Sequence, residues 1–198
     1  MKNAKIQPGA VVADLMTGMG ECWAPILKGC GSNGKLIALD FSEGMLRFAH
    51  KRKSKLNSSN IEVLQRNVFE SGIPSNSVDA IISGFGIKTF SDEQLEAFAT
   101  EVKRMLKPNG TFSFVEVAVP SNPLLKAFYM FYVQRIIPTL GWLLVGNPDN
   151  YRMLGVYTSK FGNAQRAQEL FSKIGLESNL VSYFNGCASG ISGKKKGE

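Results

Sequence analysis

Residues 11–21 read VVADLMTGMGE, and residues 35–40 read KLIALD. The segment Val11–Leu15 is apolar and rich in β-branched residues, and Gly18 and Gly20 close it, so it predicts a buried strand that ends in a tight turn. Residues 20–29 then suit a helix, and residues 35–40 a second strand. A strand that returns through a helix to another strand is the unit from which parallel sheets are built.

The same alternation continues along the rest of the chain. Ser42 can cap a helix that ends before Asn60, Ser91 can cap a helix over 91–107, and Gly175 follows a helix at 163–174. Further strands are predicted at 61–64, 78–83, 111–117, 176–183 and 187–191. Because Asn185-Gly186 is a hairpin signal, the last two strands should run antiparallel. We therefore predict an α/β, doubly wound fold in one domain over 1–198, with a mostly parallel seven-stranded sheet and an antiparallel final strand.

Composition and charge exclude several classes of protein. The chain carries three cysteines without a C-x-x-C pair, which predicts neither a disulfide framework nor a metal site. No apolar stretch follows the first lysines, so a secretory signal is not expected, and we predict a cytoplasmic protein. The net charge of +7 permits attraction to nucleic acid or anionic lipid, although surface lysines mostly serve to solvate a fold.

An aromatic and aliphatic insertion at about 120–160 interrupts the alternation of strands and helices. Its most apolar part, 124–145, is broken by four residues: Lys126, Gln134, Arg135 and Pro138. A membrane-spanning helix needs about 20 predominantly apolar residues, so this segment is not predicted to cross a bilayer.

The turn after the first strand and the end of the second predict a nucleoside site. Gly18 and Gly20 would let the backbone approach a ligand, and Asp40, 20 residues after Gly20, could accept hydrogen bonds from two ribose hydroxyls. The alternative is a plain turn, with Asp40 capping the next helix. Trp23 stands where a dinucleotide fingerprint has its third glycine, which argues against NAD. Asp14, four residues before Gly18, gives a D-x-x-x-G-x-G spacing that suits S-adenosylmethionine.

Four longer segments resemble the successive cofactor motifs of the class I S-adenosylmethionine-dependent methyltransferases: VADLMTGMGE, LIALDFSEGML, RNVFESGIPSNSVDAIISGFGIKTF and EVKRMLKPNGTFSFVEV. The stretch PSNPLLKAFYMFYVQRIIPTLGWLLVGNPDNYRML resembles the insertion of the menaquinone and ubiquinone biosynthesis C-methyltransferases. The resemblance covers about residues 8–190. It implies a Rossmann-like methyltransferase fold, S-adenosylmethionine as cofactor and S-adenosylhomocysteine as product.

The resemblance also implies where the cofactor lies. The methionine end would be framed by Asp14, Met16, Thr17, Gly18 and Gly20. Asp40 would hold the ribose, and the adenine would lie among Phe41, Met45, Asn67 and Val68. The sulfonium and methyl would face Ser83, Gly84 and Phe85. Core packing would explain Phe41 and Met45 equally well.

On the acceptor side, Phe85, Tyr151 and Arg152 are the candidates for orienting the substrate. Residues 128–132 and Trp142 would receive an isoprenoid tail, because a large apolar acceptor needs large apolar walls. A helix-capping, salt-bridging role would explain Tyr151 and Arg152 equally well, and the sole histidine, His50, is expected at the surface.

The implied function is methyl transfer to a prenylated quinol, similar to demethylmenaquinol, or to another small apolar acceptor. Two alternatives stay open at this point. One is a methyltransferase acting on nucleic acid, although the Asn/Asp-Pro-Pro-aromatic and Pro-Cys signatures of such enzymes do not follow the fourth strand. The other is a truncated or non-catalytic cofactor-binding domain, since members of the resembled family carry several tens of residues before the first glycine turn. The positive charge is also compatible with peripheral contact with a membrane surface, and a domain without its cap could form a homodimer that covers exposed apolar surface.

Overall fold

The computed structural model describes residues 2–137, 139 and 149–197, and its centre is one seven-stranded sheet. The strands are β1 (Val11–Leu15), β2 (Lys35–Asp40), β3 (Ile61–Gln65), β4 (Val78–Gly84), β5 (Leu106–Val117), β6 (Leu176–Tyr183) and β7 (Ala188–Lys195). Their order is β3-β2-β1-β4-β5-β7-β6, and β7 runs antiparallel to both of its neighbours. The predicted doubly wound sheet with an antiparallel final strand is therefore confirmed.

In the described parts of the chain, six α-helices accompany the strands: α1 (Trp23–Cys30), α2 (Glu43–Leu56), α3 (Asp92–Met105), α4 (Pro123–Phe131), α5 (Asp149–Phe161) and α6 (Gln165–Lys173). The two serine caps are confirmed, because the Ser42 hydroxyl accepts from the Met45 amide and the Ser91 hydroxyl from the Gln94 amide. The Gln94 side chain in turn accepts from the Ser91 amide at 3.0 Å, which completes a capping box. A π-helical turn, Tyr132–Ile136, continues α4.

Several predicted boundaries were wrong, three of them by three residues or more. Helix α1 starts at Trp23 rather than Gly20, because Gly18 and Gly20 both have positive φ, at 58° and 83°. Strand β5 starts at Leu106 rather than 111, because Leu106 pairs with Val78 before an irregular segment that ends where Thr111 pairs with Ala80. Strand β7 runs to Lys195 rather than 191, because its polar end is held between β5 and β6.

The core lies in two layers, one on each face of the sheet. Helices α1 and α2 cover one face with Trp23, Ile26 and Ala49, and α3 and α6 cover the other. On the second face the rings of Phe112 and Phe171 lie 5.3 Å apart, between centroids. A fully buried side chain of this size contributes about 1.5–3 kcal/mol, so the two layers fix the sheet and its carboxyl edge.

Within the described ranges, none of the helices is both long enough and apolar enough to span a bilayer.

Candidate functional site

The turn after β1 is shaped by three residues with left-handed backbone conformations: Met16, Gly18 and Gly20, with φ of 55°, 58° and 83°. A Cβ at Gly20 would lie 2.7 Å from the Trp23 indole, so this glycine makes room for the protein's own side chain rather than only for a ligand. At Gly18 the nearest atom to an added Cβ is a Glu21 carboxylate oxygen, 3.5 Å away. The more open of the two glycines is therefore Gly18.

Asp14 lies beneath this turn in a chain of hydrogen bonds. Its carboxylate is 1% exposed and accepts from the Thr17 hydroxyl, which accepts from the Trp23 indole nitrogen at 2.7 Å. Burial raises the pKa of Asp14 to about 7, while the hydrogen bond from Thr17 acts in the opposite direction. Asp14, Thr17 and Trp23 therefore form a buried chain of hydrogen bonds beneath the turn.

Asp40, at the end of β2, faces the β1 turn. One carboxylate oxygen accepts from the Gly18 amide at 2.8 Å, and the other accepts from the Ser42 amide at 2.9 Å. Each carboxylate oxygen has two lone pairs, so each can still accept from an incoming hydroxyl. The β1 turn and Asp40, the two features that predicted a nucleoside site, therefore lie in contact. The side chain that caps α2 is that of Ser42 rather than that of Asp40.

The residues predicted around an adenine lie at the ends of β2 and β3. Phe41 is 75% exposed, and Met45 is also exposed on the first turn of α2, so core packing explains neither of them. The Asn67 side-chain oxygen accepts from the Phe69 amide at 3.1 Å, which leaves the amide nitrogen of Asn67 free for other partners. The side chain of Val68 is buried.

The end of β4 packs directly against the β1 turn. A Cβ at Gly84 would lie 3.6 Å from the Cys22 sulfur, and one at Gly86 only 2.5 Å from the Met16 sulfur. Ser83 is buried, and its hydroxyl has no hydrogen-bond partner among the described residues. Phe85 projects from this edge, 57% exposed, with a φ of 64°. A non-glycine residue in this region costs about 1–2 kcal/mol, so contacts around Phe85 must hold it there.

A buried ion pair beside Phe85 was not predicted from the sequence. The Lys88 ammonium and the Glu116 carboxylate lie 3.0 Å apart, with the two side chains 10% and 0% exposed. The same ammonium donates to the Phe85 carbonyl at 2.7 Å. Burial raises the pKa of Glu116, and the charge of Lys88 opposes that effect. The available signal was a glutamate inside an otherwise apolar strand, TFSFVEV, since unpaired carboxylates are seldom fully buried.

The residues predicted to contact the acceptor are only partly described. Trp142 and the side chains of Tyr151 and Arg152 lie outside the described residues, so their predicted roles stay predictions. Helix α4 is held over the sheet edge by the Tyr129 hydroxyl, which donates to the Cys187 carbonyl at 3.1 Å. This helix buries none of its residues. A cavity of about 600 Å³ lies just beyond it, lined by Phe131, Arg135, Ile136 and Thr139.

Comparison with known proteins identifies relatives of this chain. The family model described as "ubiE/COQ5 methyltransferase family" matches residues 1–196. A demethylmenaquinone methyltransferase of Alkalihalophilus pseudofirmus is 27% identical over 198 residues, which cover 98% of this chain and 83% of that protein. A demethylmenaquinone methyltransferase of Lactococcus lactis is 30% identical over 175 residues, which cover 88% of this chain and 69% of that protein.

Solved structures resemble the whole described fold. A SAM-dependent methyltransferase from Aquifex aeolicus has a TM-score of 0.69 at 23% identity, covering 97% of this chain and 85% of that one. Phosphoethanolamine N-methyltransferase 2 of Haemonchus contortus, solved in complex with S-adenosyl-L-methionine, has a TM-score of 0.70 at 14% identity, covering 98% of this chain and 50% of that one. The predicted Rossmann-like methyltransferase fold is thereby confirmed.

Proposed function

Because this chain belongs to the ubiE/COQ5 methyltransferase family, we propose that it methylates a ring carbon of a prenylated hydroquinone similar to demethylmenaquinol. The chain is a methyltransferase that uses S-adenosylmethionine and releases S-adenosylhomocysteine. The observation that carries the choice of acceptor is the exposed apolar surface beside the sheet edge, where Phe85 projects and no residue of α4 is fully buried. Relatives named demethylmenaquinone methyltransferase support the same choice.

The residues at the carboxyl edge fit the cofactor. Asp40 would hold the ribose, since both of its oxygens are already fixed toward the β1 turn by amide hydrogen bonds. The methionine end would lie on the turn built by Asp14, Met16, Thr17, Gly18 and Gly20. The adenine would lie against the exposed Phe41 and Met45, within reach of Asn67 and Val68. Ser83, Gly84 and Phe85 would border the reacting end.

When bound, S-adenosylmethionine supplies an electrophilic methyl group on its sulfonium. The protein must then align the acceptor carbon with this methyl group. Orienting two reactants in this way can lower the activation barrier by several kcal/mol, up to about 7–11. Phe85 would press on the flat face of the acceptor ring, and Tyr151 and Arg152 would orient the ring hydroxyl. Removing the proton of that hydroxyl makes the ring carbon nucleophilic, so a polar group or ordered water beside it would assist the reaction.

We further propose that α4 meets an anionic membrane surface, from which a prenylated acceptor would enter. Leu124, Phe128 and Phe131 follow one face of the helix and are 69%, 69% and 60% exposed. The exposed Lys126 and Arg135 flank them, and the sequence contains no Asp or Glu over residues 117–148. An apolar helix face with basic neighbours is the pattern of an interfacial helix.

Vesicle flotation tests this surface. The double substitution Leu124→Ser/Phe128→Ser should abolish flotation with vesicles that contain anionic lipid. Phe48→Ser is the matched control, because Phe48 is an exposed aromatic on α2 with the Lys51 ammonium 5.7 Å from its ring. Equal flotation of all three proteins would reject α4 as the contact. Loss of a dimer in the double variant, measured by sedimentation, would assign the face to a second copy instead.

Two measurements test the proposed reaction. Calorimetry with S-adenosylmethionine and NAD side by side should give binding of the first only. A methyl-transfer screen should then favour prenylated hydroquinones over unprenylated ones, with the methyl on carbon. Binding without turnover on any quinol or phenol would favour a cofactor-binding domain, and a steep salt dependence of binding to DNA or RNA would favour a nucleic-acid substrate.

A further inference from the structure

Both backbone polar groups of Phe85 are held by neighbouring elements. Its amide donates to the Val115 carbonyl on β5 at 2.9 Å, and its carbonyl accepts from the Lys88 ammonium at 2.7 Å. The residue keeps a left-handed conformation that an aromatic side chain rarely adopts, and such a conformation persists only where the surroundings impose it. The Lys88 ammonium is thus one of the two groups that fix the backbone of Phe85.

Glu116, near the end of β5, holds Lys88 in turn. One of its oxygens accepts from the Lys88 ammonium at 3.0 Å and from the Val117 amide at 2.7 Å. The other accepts from the Lys88 backbone amide at 3.2 Å. With three donors directed at its two oxygens, the carboxylate is satisfied as an anion. Lys88, in the segment after β4, is therefore attached to Glu116 on β5 by both its backbone amide and its side-chain ammonium.

We propose that the buried Lys88–Glu116 pair positions Phe85 for methyl transfer, as a lock on the loop after β4 rather than as a contributor to stability. The inference rests on the proposed function, because that function places Phe85 at the reacting end. Exchanging a buried ion pair for neutral residues of similar size is often neutral for stability, so stability alone gives little reason to bury these charges. Their geometry instead converges on Phe85, whose backbone is in the left-handed region.

The lock is separate from the part of the site that binds the ribose. Asp40 is fixed by amides of Gly18 and Ser42, and neither belongs to the loop after β4. Releasing Phe85 should therefore impair the alignment of the acceptor and leave cofactor affinity nearly unchanged.

The test uses the double substitution Lys88→Met/Glu116→Gln, which removes both charges together and so leaves no unpaired charge in the core. Lys88→Arg is the conservative variant that keeps the charge and a donor. Lys107→Met is the control. Lys107 on β5 and Asp79 on β4 form a lysine–carboxylate pair at 2.7 Å near the amino ends of these strands, far from Phe85 along both, and the two side chains are 40% and 38% exposed.

Hydrogen exchange over residues 84–90 gives a readout that needs neither cofactor nor substrate. The double variant should exchange the Phe85 and Lys88 amides about ten-fold faster or more, while exchange in the core strand β1 stays unchanged. Lys107→Met should leave the loop as it is, and Lys88→Arg should keep most of the protection. Unchanged exchange in the double variant would overturn the proposal.

Turnover gives the second readout. The double variant should lose about ten-fold or more in kcat, the scale of a misaligned reacting group, with its Kd for S-adenosylmethionine within about two-fold of wild type. Lys88→Arg should recover most of kcat. A loss of kcat that merely follows a loss of cofactor affinity or of folded protein would count against a positioning role. Absence of turnover in the wild type would refute the proposed function, and the exchange experiment would still decide whether the lock exists.

Discussion

Replacing Asp14 by Asn should make the protein more stable at neutral and alkaline pH. The carboxyl is 1% exposed, and burial raises its pKa from 3.8 to about 7. Asn has nearly the same shape, and its side-chain oxygen can accept the hydrogen bond that the Thr17 hydroxyl gives to Asp14. The substitution therefore removes the burial of a charge and keeps the packing.

The size and sign of the effect follow from the two pKa values. Below about pH 4 the carboxyl is protonated in the folded protein and largely so in the unfolded chain, and it has little influence on stability. Between about pH 4 and pH 7 the unfolded chain ionises first, so the folded state loses about 1.4 kcal/mol for each pH unit. Above about pH 7 the loss is complete, at about 4 kcal/mol.

Urea unfolding of both proteins at about pH 4, pH 5.5 and pH 8 measures the difference directly. The free energy of unfolding of Asp14→Asn should exceed that of wild type by an amount that grows from the first pH to the third, with the lowest pH as internal control. A difference that is constant across the three conditions would refute the raised pKa. Weaker binding of S-adenosylmethionine by the stabilised variant would show that the buried charge is kept for ligand binding at the expense of stability.

Two further results are expected at the cofactor site. Asp40→Ala should weaken S-adenosylmethionine binding ten-fold or more in calorimetry, about 1.5–3 kcal/mol for charge-assisted hydrogen bonds, and an unchanged Kd would reject the ribose assignment. Burial raises the pKa of Cys22 to about 11, so this thiol should be alkylated slowly. Bound S-adenosylmethionine should slow alkylation further, because the thiol sulfur lies 3.6 Å from the Cβ position of Gly84. The variant Cys22→Ser measures alkylation at the other cysteines, and equal rates with and without cofactor would contradict the prediction.

The elements that the sequence predicts well are those whose signal is local. The bounds of β1 and β2 agree with the apolar runs and the turn residues beside them, and those of β6 with the turn residues Gly175 and Asn185-Gly186 around it. The true limits of β5 and β7 depend instead on strands far away in the chain. The polar residues that end β7 are in the sheet because they pair with 111–113 and 177–179 on either side.

The same distinction holds for the site. Two parallel strands end at the same edge, so the meeting of Asp40 with the β1 turn follows from the order of elements. Lys88 and Glu116 are 28 residues apart on different elements, and only the packed fold shows that they touch. The reason for Gly20 also needed the fold, because the atoms that exclude a side chain there belong to Trp23, whose orientation the sequence does not give.

Helix α4 buries none of its residues, and the two core clusters are built without it. Substitutions on this helix should therefore change which molecules the protein accepts at little expense to folding, since exposed positions away from packed or strained features usually shift stability by no more than about 0.5 kcal/mol. Acceptor preference can then change between related enzymes through substitutions on this helix. The sheet edge proposed to bind the cofactor is less free to change, because its residues are part of the packed core. A chain of this family can thus be assigned readily to its cofactor and only with experiment to its substrate.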